Sequence, residues 1–276
     1  MSQTSYGNSP APARAGQLAD GFECDIASKV AAGSVVVGQA CVITAAATGL
    51  SMGTVGAMTA AQVAADPDAI IASGAASTAG IQDLITTSLN GVVGQTEMIP
   101  ARKLSATFNS HADWDATTMT IFGLDVDGLA CQATITIPNG GNAVVDQNED
   151  VYFSRVTRIN IPAQTGTNGT LLVGTVADTA QYQEGQLVIP LYDASREPYN
   201  SSNQYVDEES VPCFAKGRMW APVAAGTALQ QLYVRVVTGG GGFGELRGGP
   251  AAGFVPFKNG RIVEMYGSTL AKIEVL

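Results

Sequence analysis

Three sets of residues in this chain have types and spacings that could do chemistry. In "LYVRVVTGGGGFGELRGGP", Leu232 to Pro250, the glycines Gly239, Gly241 and Gly244 match G-x-G-x-x-G, and Glu264 lies twenty residues after the last. That outlines a dinucleotide site, in which glycines let the backbone approach a pyrophosphate and an acid holds the ribose. His111, the only histidine, stands in "FNSHADWDA" beside Ser110, Asp113 and Asp115, a nucleophile–base–acid set if the fold brings them together. The carboxylate pairs Asp113/Asp115, Asp125/Asp127 and Glu149/Asp150 could serve glycoside hydrolysis or hold calcium.

Each set needs elements to position it, and the flanking sequence argues against them. A dinucleotide site needs a helix opening at the glycines, whereas "ELRGGPAAGF" puts three more glycines and Pro250 within nine residues of Gly244. A wide, exposed connection between two late strands is expected instead. His111 lies in a polar segment at a strand boundary, and neighbours in sequence seldom share a catalytic site. Asp125 and Asp127 precede Gly128, but the remaining ligands of a calcium-binding helix–loop–helix are missing. Tight-turn chemistry accounts for them, with a weak calcium site between loops as the alternative. Trp114 and Trp220 could stack on sugars. In "GRMWAPV", however, alternation pairs Met219 with Ala221 on one face and sets Trp220 with Arg218 and Pro222 on the other, an arrangement suited to a subunit contact. No catalytic, cofactor-binding or metal-ligating residue is assigned, and no enzymatic activity is expected.

The 276 residues allow one large or two modest domains without disulfides. Only 14% are charged, and Gly, Ala, Val and Thr prevail, which favours short strands and turns. A net charge of −10 and the absence of a Lys/Arg cluster disfavour nucleic acid as a partner. Cys24, Cys41, Cys131 and Cys213 form no C-x-x-C pair and read as small apolar residues. There is no basic-then-apolar leader and no run near the ~18 residues of a membrane span, so a soluble chain without a membrane partner is expected.

Along the chain, residues 1–21 are rich in Ser, Pro, Ala and Gly and read as an extended N-terminal arm. Residues 22–101 begin with the β-branched run "SVVVGQACVITAAATG" and continue into an Ala-rich stretch read as a long loop with one short helix. "IQDLITTSLNGVVG" fits helix and strand equally. Residues 102–181 hold six or seven short strands, two of them joined by Asp125-Val126-Asp127-Gly128, a strong hairpin signal. That count is the one expected of an immunoglobulin-like sandwich. Residues 182–276 carry strands about every ten residues. The predicted fold is all-β: a small barrel of N- and C-terminal strands with the immunoglobulin-like sandwich inserted into it.

Three stretches carry a resemblance. "SPAPARAGQLADG" (Ser9 to Gly21), "LITTSLNGVVGQTEMIPAR" (Leu84 to Arg102) and "SVPCFAKGRMWAPVAAGTALQQLYVRV" (Ser210 to Val236) resemble the structural cement, or head decoration, proteins of tailed bacteriophage capsids. There, a Pro/Ala-rich arm precedes a small barrel with a strand, a Lys-Gly or Arg-Gly turn and a second strand near its end. The middle domain, with its Asp-Gly hairpin and "VTRINIPA" (Val156 to Ala163), is similar to the immunoglobulin-like modules of virion proteins. The resemblance covers about half the chain. It implies a non-enzymatic protein, made in the host cytoplasm, that binds the outer surface of the assembled shell of major capsid protein as a homotrimer. Pro10, Pro12 and Arg14 would be the arm contacts to the capsid, and Arg218 and Trp220 the trimer contact. The alternative function is attachment of the particle to a host glycan through the middle domain.

Overall fold

The Val-, Thr- and Gly-rich sequence pairs into strands throughout. The computed structural model describes residues 16, 18–19, 24–44, 53–59, 62–184, 186–192, 204–236 and 242–276. Among these there is no α-helix; 3-10 geometry occurs at Gln62 and in the turn Thr86–Ser88. The chain forms two units, one taking residues up to Met58 and most of those from Glu184 onward, the other chiefly Thr59–Gln183.

The first unit opens with β1 (Asp25–Ala32), β2 (Val35–Val36), β3 (Cys41–Thr44) and β4 (Thr54–Ala57). The second unit holds β5 (Asp66–Ala76), β6 (Gln82–Ile85), β7 (Leu104–Ser110), β8 (Thr118–Leu124), β9 (Ala130–Thr136), β10 (Gly141–Asp146), β11 (Arg155–Ile161) and β12 (Thr170–Thr175). The chain then returns to the first unit through β13 (Leu187–Pro190), β14 (Gln204–Tyr205), β15 (Ser210–Pro222), β16 (Gln231–Arg235), β17 (Leu246–Gly248), β18 (Phe254–Tyr266) and β19 (Leu270–Val275).

In the second unit, two four-stranded antiparallel sheets run β5-β12-β7-β10 and β6-β11-β8-β9. Ile70, Ile71, Phe108, Leu171 and Val173 of one and Met119, Ile121, Ile135, Ile159 and Ile161 of the other share one buried core. Lettering the strands B to I in chain order gives the sheets BIDG and CHEF, the jelly-roll order. An immunoglobulin sandwich would instead pair its first two strands in one sheet, ABED against CFG; here β5 and β7 are separated by β12, and β6 lies in the opposite sheet. The immunoglobulin-like expectation is therefore corrected. Strand count is common to both folds, while pairing across the sheets is a long-range property that local patterns do not carry.

The boundary moves as well. The unit begins at Thr59 rather than at residue 102, because β5 and β6 are edge strands of its two sheets. The Ala-rich stretch read as loop with a helix holds an eleven-residue strand, β5. Alanine favours helix more than any other residue, but propensity yields readily to tertiary context. Pro67, Gly74 at φ +70 and the burial of Ile70 and Ile71 between sheets outweigh it. Five residues of β5, Ile71 to Ala75, span three of β12, Val173 to Leu171, so the surplus is taken up as a bulge around Gly74. The Asp-Gly hairpin is present: Gly128 N–H donates to Asp125 O, the Asp125 carboxylate accepts from Asp127 and Leu129 N–H, and Leu124 pairs with Ala130.

In the first unit, β1 pairs with β4, β4 with β3, β3 with β13, β13 with β15, and β15 again with β1, a ring of five strands. Ala31, Cys41, Val55, Val188, Val211 and Cys213, drawn from all five, share one buried cluster. β15 has a second role. Its residues to Lys216 pair within the ring, while Gly217–Pro222 pair with β19, which leads the sheet β15-β19-β18-β16-β17. Gly217, at φ +115, sits where the strand changes partners, a bend that disfavours any residue with a Cβ. The Lys-Gly step read as a turn between two strands is thus a bend within one.

Candidate interaction face

The groups expected to be chemically suggestive are placed but not assembled. Gly239 and Gly241 lie outside the described residues. Gly244 has φ +79 and its carbonyl accepts from Ala40 N–H, and the next element along the chain is the strand β17, not a helix. Glu264 lies on β18 beside Lys272 Nζ at 3.7 Å. Asp113 donates its backbone N–H to His111 Nδ1 at 3.2 Å. That nitrogen is therefore an acceptor and cannot also carry a proton toward the Asp113 carboxylate 3.4 Å away. Asp113 is held below the usual carboxylate range by Asn168 N–H at 2.7 Å, with the Asn168 amide adding to it. Asp115 accepts from Thr165 Oγ1. Burial pushes the Glu149 carboxyl up, but the backbone and hydroxyl of Thr134 outweigh it and hold the group low. These carboxylates close turns and pin neighbouring strands. Among the described residues, no three His, Cys, Asp or Glu side chains converge on a point.

The cysteines and tryptophans divide by burial. Cys41 and Cys213 are buried, and desolvation pushes both thiols up to about 12, far from nucleophilic. Cys24 and Cys131 are partly exposed. Trp114 is fully buried, edge-on to Phe108 at 5.2 Å, with its indole N–H donating to Asn109 Oδ1. It is core and not available to a sugar.

Arg218 and Trp220 lie on an outward face, as alternation predicts: Met219 between them and Ala221 beyond are fully buried. Register builds the rest of that face. Arg218 stands opposite Glu274, which stands opposite Arg261; Trp220 stands opposite Lys272, which stands opposite Glu264. Glu274, only 3% exposed, is clasped from both sides by Arg218 Nε at 2.7 Å and Arg261 Nε at 2.6 Å. Burial would raise its carboxyl; the two guanidinium groups reverse this and hold it below the ordinary glutamate range. Lys272 lies over the Trp220 ring at 5.7 Å, and Tyr266 meets the same ring edge-on at 6.4 Å. On the neighbouring strands, Tyr233 faces Arg247 and Arg235 faces Phe254, with the guanidinium groups of Arg235 and Arg247 4.5 and 5.8 Å from the Phe254 ring. Sequence alternation could find Arg218 and Trp220, but the partners across the sheet depend on register, and the pairings of β18 with β16 and β19 are bulged.

The arm meets this strand. Gly16 N–H donates to Trp220 O at 2.7 Å, Ala19 N–H to Arg218 O at 3.1 Å, and Leu18 pairs with Met219. Gly16 O accepts from Tyr192 N–H, and a Cβ at Gly16 would lie 2.4 Å from Val37 and 2.7 Å from the Tyr192 nitrogen. Only glycine passes here. Pro10, Pro12 and Arg14 lie outside the described residues.

One further residue escaped the sequence reading. Arg102 is 6% exposed and donates to the carbonyls of Gln62, Val63, Ala64 and Val176, tying the start of the second unit to its end. No local pattern marks an arginine whose partners are carbonyls 38 to 74 residues away. No helix among the described residues is long and apolar enough to cross a membrane. Compared with protein-family models, with curated proteins and with solved structures, the chain matches none.

Proposed function

We propose that this chain is a non-enzymatic virion structural protein that binds the outside of an assembled tailed-phage capsid as a cement, acting as a homotrimer. The observation that carries this reading is the seating of the arm. Gly16, Leu18 and Ala19 add to the edge of β15 at the same residues, Arg218 to Trp220, that present the outward aromatic and basic face. An arm anchored at its base by strand pairing, with Pro10, Pro12 and Arg14 beyond the anchor, suits a strap laid across a neighbouring capsid subunit. The ring of five strands is read as the small barrel of such proteins. Net negative charge assists solubility before assembly, and many weak contacts become strong through multivalency.

The test is whether the protein purifies with intact particles in fixed ratio to the major capsid protein, and whether a chain starting at residue 16 loses that association. Recovery only from lysate, never on particles, would sink the proposal. A second reading, attachment to host glycans, draws on the jelly-roll order, which lectin domains also use. Glycan-array binding by the full chain, abolished by changes within Thr59–Gln183, would support it over the first.

A further inference from the structure

The outward face of β15-β19-β18-β16-β17 differs in charge from the rest of the chain. Residues 210–276 contain seven basic and three acidic residues, a net of +4 within a chain of net −10. Thr59–Gln183 contains twelve acidic and four basic residues, a net of −8. The face combines Arg with Trp, Tyr and Phe, the residue types that dominate protein–protein hot spots. It also has an incomplete spot. Arg235 is neutralised by Glu245 at 2.8 Å, whereas Arg247, which shares the Phe254 ring with it, has its Nε buried and without a hydrogen-bond partner among the described residues.

We propose that this face docks against the acidic Thr59–Gln183 unit of a second copy, a head-to-tail contact in which each copy offers its basic face to one neighbour and its acidic unit to the other. Charge complementarity selects this occupant. Two basic faces would repel each other, so a two-fold contact of face on face is disfavoured, while a contact between unlike surfaces closes into a ring when its rotation permits. Exposed carboxylates such as Asp68, Asp83, Glu97 and Asp127 supply the acceptors. The inference rests on the trimer reading above and is independent of capsid binding.

The experiment uses the full chain, with sedimentation equilibrium at low and high salt on the natural protein and on an Arg247→Glu/Lys272→Glu double variant. It adds zero-length carbodiimide cross-linking of a mixture of light- and heavy-isotope copies. The expected result is an oligomer whose dissociation constant rises at least about tenfold in the variant and rises with salt. Mixed-isotope cross-links should run from Lys272 to carboxylates within Thr59–Gln183. An oligomer indifferent to both changes, or Lys272 links confined to one copy or directed to other acids, overturns the inference and leaves the trimer reading standing. A monomer at every concentration removes both. If the double variant does not fold, the cross-links of the natural protein still decide.

Discussion

The jelly-roll unit and the C-terminal sheet spend their charges in opposite ways. In Thr59–Gln183 three carboxylates point into their own backbone: Asp125 closes a hairpin, Asp113 holds Asn168 N–H, and Glu149 holds Thr134. Its buried cation, Arg102, likewise bonds carbonyls. In the sheet from β15 to β17, charges instead meet across strands and remain on an outward face, Arg218 and Arg261 about Glu274 and Arg235 with Glu245. An Asp in a turn is a folding device and can be dense without making a site; a cross-strand ladder of Arg and aromatics forms a surface. The difference explains why carboxylate pairs in the sequence yield no chemistry, while a plain alternation at Arg218 and Trp220 leads to the candidate face.

Loss of a core side chain should set the two units apart most clearly. Trp114→Ala removes a fully buried ring and should cost the jelly-roll unit about 3–5 kcal/mol. In chemical denaturation this should appear as an early transition for that unit alone; a single shifted transition would show that the two units do not unfold separately. Arg102→Ala should come next, at about 2–4 kcal/mol, because it strands several buried carbonyls.

On the other side of the comparison, Glu274→Gln should lower the stability of the C-terminal sheet and change its pH dependence. The Glu274 carboxyl is depressed in the fold, so its contribution is present above the ordinary glutamate value of about 4.3 and is lost as pH falls through and below it. Thermal melting between neutral and acid pH should show less acid sensitivity in the variant; an unchanged profile would mean that the clasp does not stabilise the sheet. The smallest effect is expected at His111. Its ring makes one local turn bond, so His111→Asn should change stability by no more than about 1 kcal/mol. A larger loss, or loss of any particle-associated activity, would reopen the Ser110, His111 and Asp113 grouping.

Much of the strand content was legible because it is local. The hairpin at Asp125–Gly128 and the two faces of Arg218–Pro222 come from period-two alternation and turn residues. β5 was not legible, since its alanines favour helix and only burial against β12 and the opposite sheet makes it a strand. Nor was the bend at Gly217 distinguishable from an ordinary turn.

Within the sequence alone lie the all-β character of the chain, the places of its tight turns and the strand rather than helix that follows Gly244, because composition and spacing act within a few residues. Tertiary structure alone decided the jelly-roll order, the start of that unit at Thr59, the partners of Arg102 and the ladder about Glu274. These depend on which strands meet across tens of residues, and the free energy that selects among such pairings comes from burying both sheets against one core, a property of the whole arrangement and not of any segment.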